Sequence, residues 1–163
     1  MKKIVIVLTM LVTVIVISAE EKEYQYGLGF GGGMISGSGF SFRKLNDNGG
    51  FQVNFGLMKY DHFGNRNIGV NLFKTMHCSK RSKLYVLGGA ALYNTYEDDN
   101  WYDDYYDDNS NTAITVGGGF GFDYKLSEYI RFNFEWPVTF FFSTGNTNIY
   151  MYIPQAGIHY YFK

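Results

Sequence analysis

A chain of 163 residues has room for one domain, and 14 basic against 15 acidic side chains leave a net charge of −1, which excludes a nucleic-acid surface built on excess positive charge. One cysteine, Cys78, excludes an intramolecular disulfide framework. A fifth of the residues are aromatic, with 15 Tyr, 15 Phe, 20 Gly and two Pro, yet mean hydropathy is slightly negative. That combination suits strands whose apolar residues fall on alternate positions.

The chain begins with Met1-Lys2-Lys3, followed by an apolar run of 14 residues (4–17), then Ser18-Ala19 and the acidic Glu20-Glu21. This is the three-part plan of a secretory signal peptide over residues 1–19, with cleavage expected after about Ala19. The apolar run is short of the roughly 20 residues a membrane-spanning helix needs. No cysteine adjoins the cleavage point, which argues against a lipoprotein. The mature chain, residues 20–163, would hold 144 residues with a net charge of about −3, once Lys2 and Lys3 are removed.

Eight strand-like segments follow. Residues 24–33 (YQYGLGFGGG) place Tyr24, Tyr26, Leu28 and Phe30 on one face and glycines on the other. A short link at 34–37 leads to the second segment, 38–45, and Asn46-Asp47-Asn48-Gly49-Gly50 is a dense turn signal. The third (51–60) alternates Phe51, Val53, Phe55 and Leu57 with Gln52, Asn54 and Gly56; the fourth (67–76) alternates Ile68, Val70 and Leu72 with Asn67, Gly69 and Asn71. The fifth (83–95) is apolar at nearly every position, so its facing is ambiguous.

An acidic, aromatic loop (96–111) then precedes the clearest hairpin. Ile114, Val116, Phe120, Phe122 and Tyr124 share one face of the sixth segment; Thr115, Gly117, Gly119, Gly121 and Asp123 share the other. Beyond a turn at 126–128, Ile130, Phe132, Phe134 and Trp136 alternate with Arg131, Asn133 and Glu135. The seventh segment continues to Phe142, and the eighth spans 148–162. Strict period-two alternation denotes strands with one apolar and one polar face. Glycines opposite the phenylalanines suit a narrow interior better than a water-facing surface, which favours aromatic residues outward on lipid and small or polar ones inward. A soluble barrel around an apolar core is the alternative.

An even number of antiparallel strands lets the end strands close and removes both edges. The expected fold class is therefore all-β, an eight-stranded antiparallel up-and-down transmembrane β-barrel over residues 20–163. With both termini periplasmic, the links at 34–37, 61–66, 96–111 and 143–147 face outward, and those at 46–50, 77–82 and 126–128 face inward.

The last segment, IPQAGIHYYF, resembles the closing strand of small outer-membrane β-barrel proteins of the OmpA/OmpX and opacity-protein type. Ala156, Ile158, Tyr160 and Phe162 match the alternating pattern that ends in an aromatic residue; Lys163, one residue beyond it, departs from that pattern. The resemblance implies an outer-membrane location, a monomer held in membrane lipid, and Ile158, Tyr160 and Phe162 as a signal read by the barrel-assembly machinery. Such proteins include adhesins, serum-resistance factors, structural barrels and a few lipid-modifying enzymes, so the fold does not fix the function.

Three groups of residues invite chemistry. A three-residue turn would set Asp123 opposite Arg131, and a symmetric 143–147 loop would bring His159 beside Arg131 and Gln155 beside Glu135. Asp123, Arg131, Glu135, His159 and Gln155 then form a lumenal polar network. Because eight-stranded interiors are filled by side chains, paired structural charges are favoured over a His/carboxylate acid–base site. His77-Cys78-Ser79 has the H-x-S spacing of outer-membrane lipid A deacylases, but the expected topology puts it at an inner turn, away from outer-leaflet ester bonds. The loop 97–108 holds seven acidic residues among Trp101, Tyr102, Asp103, Asp104, Tyr105 and Tyr106 and their neighbours. It suits recognition of a basic host or neighbouring-cell surface and lacks the spacing of a Ca²⁺ loop, although a merely solvated loop is the plainer reading. The expected function is non-enzymatic: adhesion, partner contact or an envelope role through surface loops, with no cofactor, no metal and no nucleic acid. A small-solute or hydrophobic-compound channel is the alternative, and a lipid-modifying enzyme comes third.

Overall fold

The structure, a computed structural model, describes residues 25–60, 63–97, 109–143, 146–151 and 153–162. The expected signal peptide and the recognition residues from Trp101 to Tyr106 lie outside the described residues. Every regular element among those described is a strand: β1 (Tyr26–Gly33), β2 (Gly37–Leu45), β3 (Gly49–Tyr60), β4 (Phe63–Cys78), β5 (Ser82–Glu97), β6 (Asn109–Lys125), β7 (Ile130–Ser143), β8 (Asn146–Met151) and β9 (Gln155–Phe162).

From β1 to β8 each strand is antiparallel to its sequence neighbour, and β9 lies between β7 and β1. Hydrogen bonding therefore runs round a complete ring. β8 and β9 occupy one strand's place, both against the same edge of β7: β8 along 138–143 and β9 along 130–135. The result is a closed, eight-stranded, antiparallel up-and-down barrel. The eighth strand was expected unbroken over 148–162. It begins two residues earlier and is interrupted at 153–154, where Pro154 has no N–H for the ladder.

The alternation in the sequence becomes the two faces of this wall. Ser41, Arg43, Gln52, Asn54, Asn71, Asn133 and Glu135 are buried in the interior; Leu28, Phe40, Phe55, Ile68, Phe120 and Ile158 are exposed outside. The ambiguous fifth strand is settled by its pairing. Lys83 lies opposite Asp123, so Lys83, Tyr85, Leu87 and Ala91 point inward, while Leu84, Val86 and Leu92 point outward.

Local chemistry shapes the short turns. Asn46 Oδ1 accepts from the N–H groups of Asn48 and Gly49 at 3.0 and 2.9 Å, which closes the β2–β3 turn. Between β6 and β7, the N–H groups of Leu126 and Ser127 donate to Ile130 O at 2.9 and 3.1 Å, and Ser127 Oγ accepts from Ile130 N. That turn holds four residues, 126–129, rather than three.

At the opposite end β3–β8 run on past the tips of β1 and β2, which have 8 and 9 residues against 16 in β4 and β5. The β1–β2 link lies at this end with the β3–β4 link, and it folds into the barrel, with Ile35 and Ser36 buried. Ser36 Oγ donates to Gln155 Oε1 at 3.1 Å, Tyr93 OH donates to Gly33 O and Met34 O at 2.7 and 3.0 Å, and Thr115 Oγ1 donates to Met34 O. Gly117 makes room for this plug, since a Cβ there would stand 2.6 Å from Ile35 Cγ2. The glycine stripe thus admits an inserted turn.

Candidate functional site

The interior between the plug and the short-turn end is a connected set of polar side chains centred on Arg43 and Glu135. Arg43 sits on β2 in the run Phe40-Ser41-Phe42-Arg43, where the pleat turns both phenylalanines out and Ser41 and Arg43 in. Its Nη1 donates to Glu135 Oε1 at 3.2 Å and to Gln52 Oε1 at 2.7 Å. Its guanidinium lies over the rings of Phe73 and Tyr85, 4.4 and 5.1 Å from their centroids, so cation–π attraction adds to the ion pair.

Glu135, reaching in from β7, also accepts from Tyr85 OH at 2.7 Å, Asn133 Nδ2 at 3.2 Å and Gln155 Nε2 at 2.9 Å. Four donors on one carboxylate are what a buried anion needs to be tolerated. Gly121 supplies the space: a Cβ there would lie 2.7 Å from both Glu135 Cγ and the Tyr85 ring. Gln52 extends the chain of amides by donating to Asn54 Oδ1 at 2.9 Å, and Asn54 Nδ2 donates to Gly37 O at 3.1 Å.

The five expected lumenal residues are all buried, but one register differs. The four-residue turn sets Asp123 opposite Asn133 and Arg131 opposite Lys125. Asp123 and Arg131 therefore meet diagonally, at a long 3.4 Å, with the Arg131 guanidinium over Tyr161 at 4.8 Å. Along β7 and β9, Arg131 lies opposite His159 and Glu135 opposite Gln155. His159 is not joined to a carboxylate by any described hydrogen bond. Its Nε2 lies 2.8 Å from Ser41 Oγ, and its Nδ1 has no hydrogen-bond partner among the described residues. Among the described residues no carboxylate orients this Ser41–His159 contact.

Other expected residues lie apart. Ile158, Tyr160 and Phe162 form one face of β9, opposite Phe30, Leu28 and Tyr26 of β1. His77 and Cys78 are exposed at the short-turn end of β4. There Asp47 Oδ1 takes an ion pair from Lys83 Nζ at 2.9 Å and a contact from Cys78 Sγ at 3.2 Å. These two partners, Lys83 first, hold the Asp47 carboxyl below its usual range. Among the described residues no group of three or more His, Cys, Asp or Glu is placed to hold a metal ion.

Arg43, Gln52 and Tyr85 were missed as members of the network. For Arg43 the signal was present, since it shares the inward parity of Ser41. Tyr85 was hidden in a strand apolar on both faces, and only the Lys83–Asp123 pairing reveals its direction. No protein-family model matches the chain, and no curated protein matches it.

Proposed function

We propose that this chain is a non-enzymatic outer-membrane barrel that acts through the loops at its long-strand end. The observation that carries this reading is the inverted distribution of polarity. Phe30 and Phe120 stand 66% and 56% exposed on the outside, whereas Arg43 and Glu135 are 0% and 1% exposed within. A water-soluble barrel has no reason to present ranks of aromatic and aliphatic side chains to solvent, whereas lipid favours them. Near the short-turn end Tyr26 stacks with Phe162 and Tyr129 with Tyr160, ring centroids 6.5 and 5.7 Å apart. Aromatic girdles of this kind mark bilayer interfaces.

The inserted 34–36 turn and the buried Arg43–Glu135 network both occupy the interior, which supports a closed wall rather than a pore. Surface contact through the loops is then the activity such a wall presents, adhesion or partner binding among them. Protein inserted in planar bilayers is expected to give no discrete conductance steps, and cells producing it are expected to keep their lipid A masses unchanged. Proteolytic shaving of intact cells should cut within 97–108 and abolish any cell-surface binding the chain confers. Regular conductance steps would favour the channel reading; a shortened lipid A would favour the enzyme.

A further inference from the structure

The wall is not equally tall all round. β1 and β9 pair only from Tyr26↔Phe162 to Gly32↔Ala156, and β2 and β3 pair only as far as Phe40↔Phe55. Above those levels residues 57–60 of β3 and all of β8 continue without a partner on the side that β1 and β2 have vacated, among the described residues. Two strand edges thus face each other across a gap two strands wide, about 14 Å at the usual inter-strand spacing.

Behind the gap is a cavity of about 400 Å³, within the range of small-molecule sites. Its floor is the inserted turn, at Gly33 and Met34; its back wall is Tyr93 of β5 and Phe141 of β7; its side is Ile153 and Pro154 at the break between β8 and β9. Phe141 is braced edge-on by Tyr150, centroids 6.1 Å apart. Tyr93 is held by its two hydrogen bonds to the floor, so the lining is preorganised.

We propose that this cavity binds the acyl chain of a single-chain amphiphile, which enters sideways from the bilayer between β3 and β8. The inference rests on the membrane reading above and adds a ligand site to it. Three observations select this occupant. The lining is mainly apolar and aromatic and contains no charged residue. On the strands that border the gap, Leu57 of β3 and Ile149 of β8 are exposed at 67% and 60%. Third, a tilted strand needs roughly 9–11 residues to cross a bilayer, whereas β1 and β9 have 8 each. The gap therefore opens at the level of lipid chains. Unpaired backbone at that level is costly unless something bonds to it, and the polar head of an amphiphile can supply those hydrogen bonds while its chain fills the cavity.

The test uses the full mature chain in phosphatidylcholine nanodiscs, with ¹³C-labelled Met and Ile methyls and 16-doxyl-stearic acid as the probe. Met34 and Ile153 line the cavity, whereas Ile158 faces outward on the closed wall. The expected result is saturable broadening at Met34 and Ile153, distinct from a linear, bulk-lipid effect at Ile158. A Cβ at Gly32 meets only Ser38, at 3.6 Å, among the described residues, so the backbone there accepts a side chain, and G32L and S38L each add bulk at the mouth. Either should weaken the saturable effect roughly tenfold or more. G88L, which adds the same bulk to the outer face elsewhere, should leave it intact.

Broadening at Met34 that only tracks Ile158, or saturation unchanged in both mouth variants, would overturn the proposal. So would dimers joined through β3 and β8 without saturable broadening, because a second copy would then fill the gap. Saturation at Met34 with no effect at Ile158 would remove the membrane reading alone and leave the ligand site standing.

Discussion

Replacing Glu135 by Ala removes the acceptor on which the interior converges. The carboxylate takes hydrogen bonds from Arg43, Tyr85, Asn133 and Gln155. Without it the Arg43 guanidinium keeps Gln52 and the faces of Phe73 and Tyr85 but loses the carboxylate bonded to it. Breaking a buried ion pair from one side costs about 3–5 kcal/mol, because the surviving charge stays buried. Arg43→Met should cost a similar amount, as it strands the carboxylate among neutral donors. Glu135→Gln retains shape and an acceptor oxygen, so its cost should be smaller, about 1–2 kcal/mol, the difference between a charged and a neutral hydrogen bond. In the double variant Arg43→Met/Glu135→Gln neither charge is left alone, and the total should fall short of the sum by about 1–3 kcal/mol. Urea titration of the barrel folded in phospholipid vesicles, followed by tryptophan fluorescence, measures all four variants. Costs that simply add would refute the coupling and with it the claim that this pair organises the interior.

The remaining predictions follow the same geometry. Asp123 and Arg131 are coupled over a longer, diagonal 3.4 Å contact, so their double-mutant cycle should give a smaller coupling energy than that of Arg43 and Glu135; an equal or larger value would contradict the register. Gly121→Ala should destabilise by about 1–3 kcal/mol through overpacking against Tyr85 and Glu135, whereas Gly88→Ala, where a Cβ meets nothing nearer than Gly117 O at 3.7 Å, should be nearly neutral in the same titration. Phe132→Arg on the outer face should cost about 2–4 kcal/mol in lipid if it lies near mid-bilayer, and an unchanged folding midpoint would reverse the assignment of faces. The Asp47 carboxyl titrates below its unfolded value, so its contribution is present above the unfolded pKa and disappears as pH falls through the folded one. Asp47→Asn should flatten that part of the acid-unfolding curve, and a curve identical to that of the parent would remove the Lys83–Asp47 bridge from the account.

How far the sequence reveals this architecture depends on how strictly each segment alternates. Residues 51–57 of β3, 119–124 of β6 and 130–136 of β7 carry an uninterrupted period of two, and their faces read directly from Gln52/Val53, Asp123/Phe122 and Glu135/Phe134. β5 does not, because Leu84-Tyr85-Val86-Leu87 is apolar on both sides; a large aromatic can face inward where its cross-strand partner is glycine, as Gly121 is to Tyr85. The hairpin register shifted because Tyr129 reads as strand yet belongs to a turn closed on Ile130, and adding one residue to that turn moves the cross-strand partner of Asp123 from Arg131 to Asn133. The inserted 34–36 turn left no local signal at all. Its position is fixed by hydrogen bonds to Tyr93, Thr115 and Gln155, each 59 or more residues away in the chain. What alternation can show is a face; what lies across the interior from that face depends on closure.

The inverted polarity of the wall is the central claim, and location tests it most directly. The full chain should be produced in a Gram-negative-type host and its envelope separated by density. The account predicts a mature protein starting near Glu20 that co-sediments with the outer membrane, stays there through carbonate or high-salt washing, and migrates as a compact species on unheated gels. Recovery of the mature chain as a soluble periplasmic protein would contradict it, and would make the exposed aromatic face the surface of some other assembly.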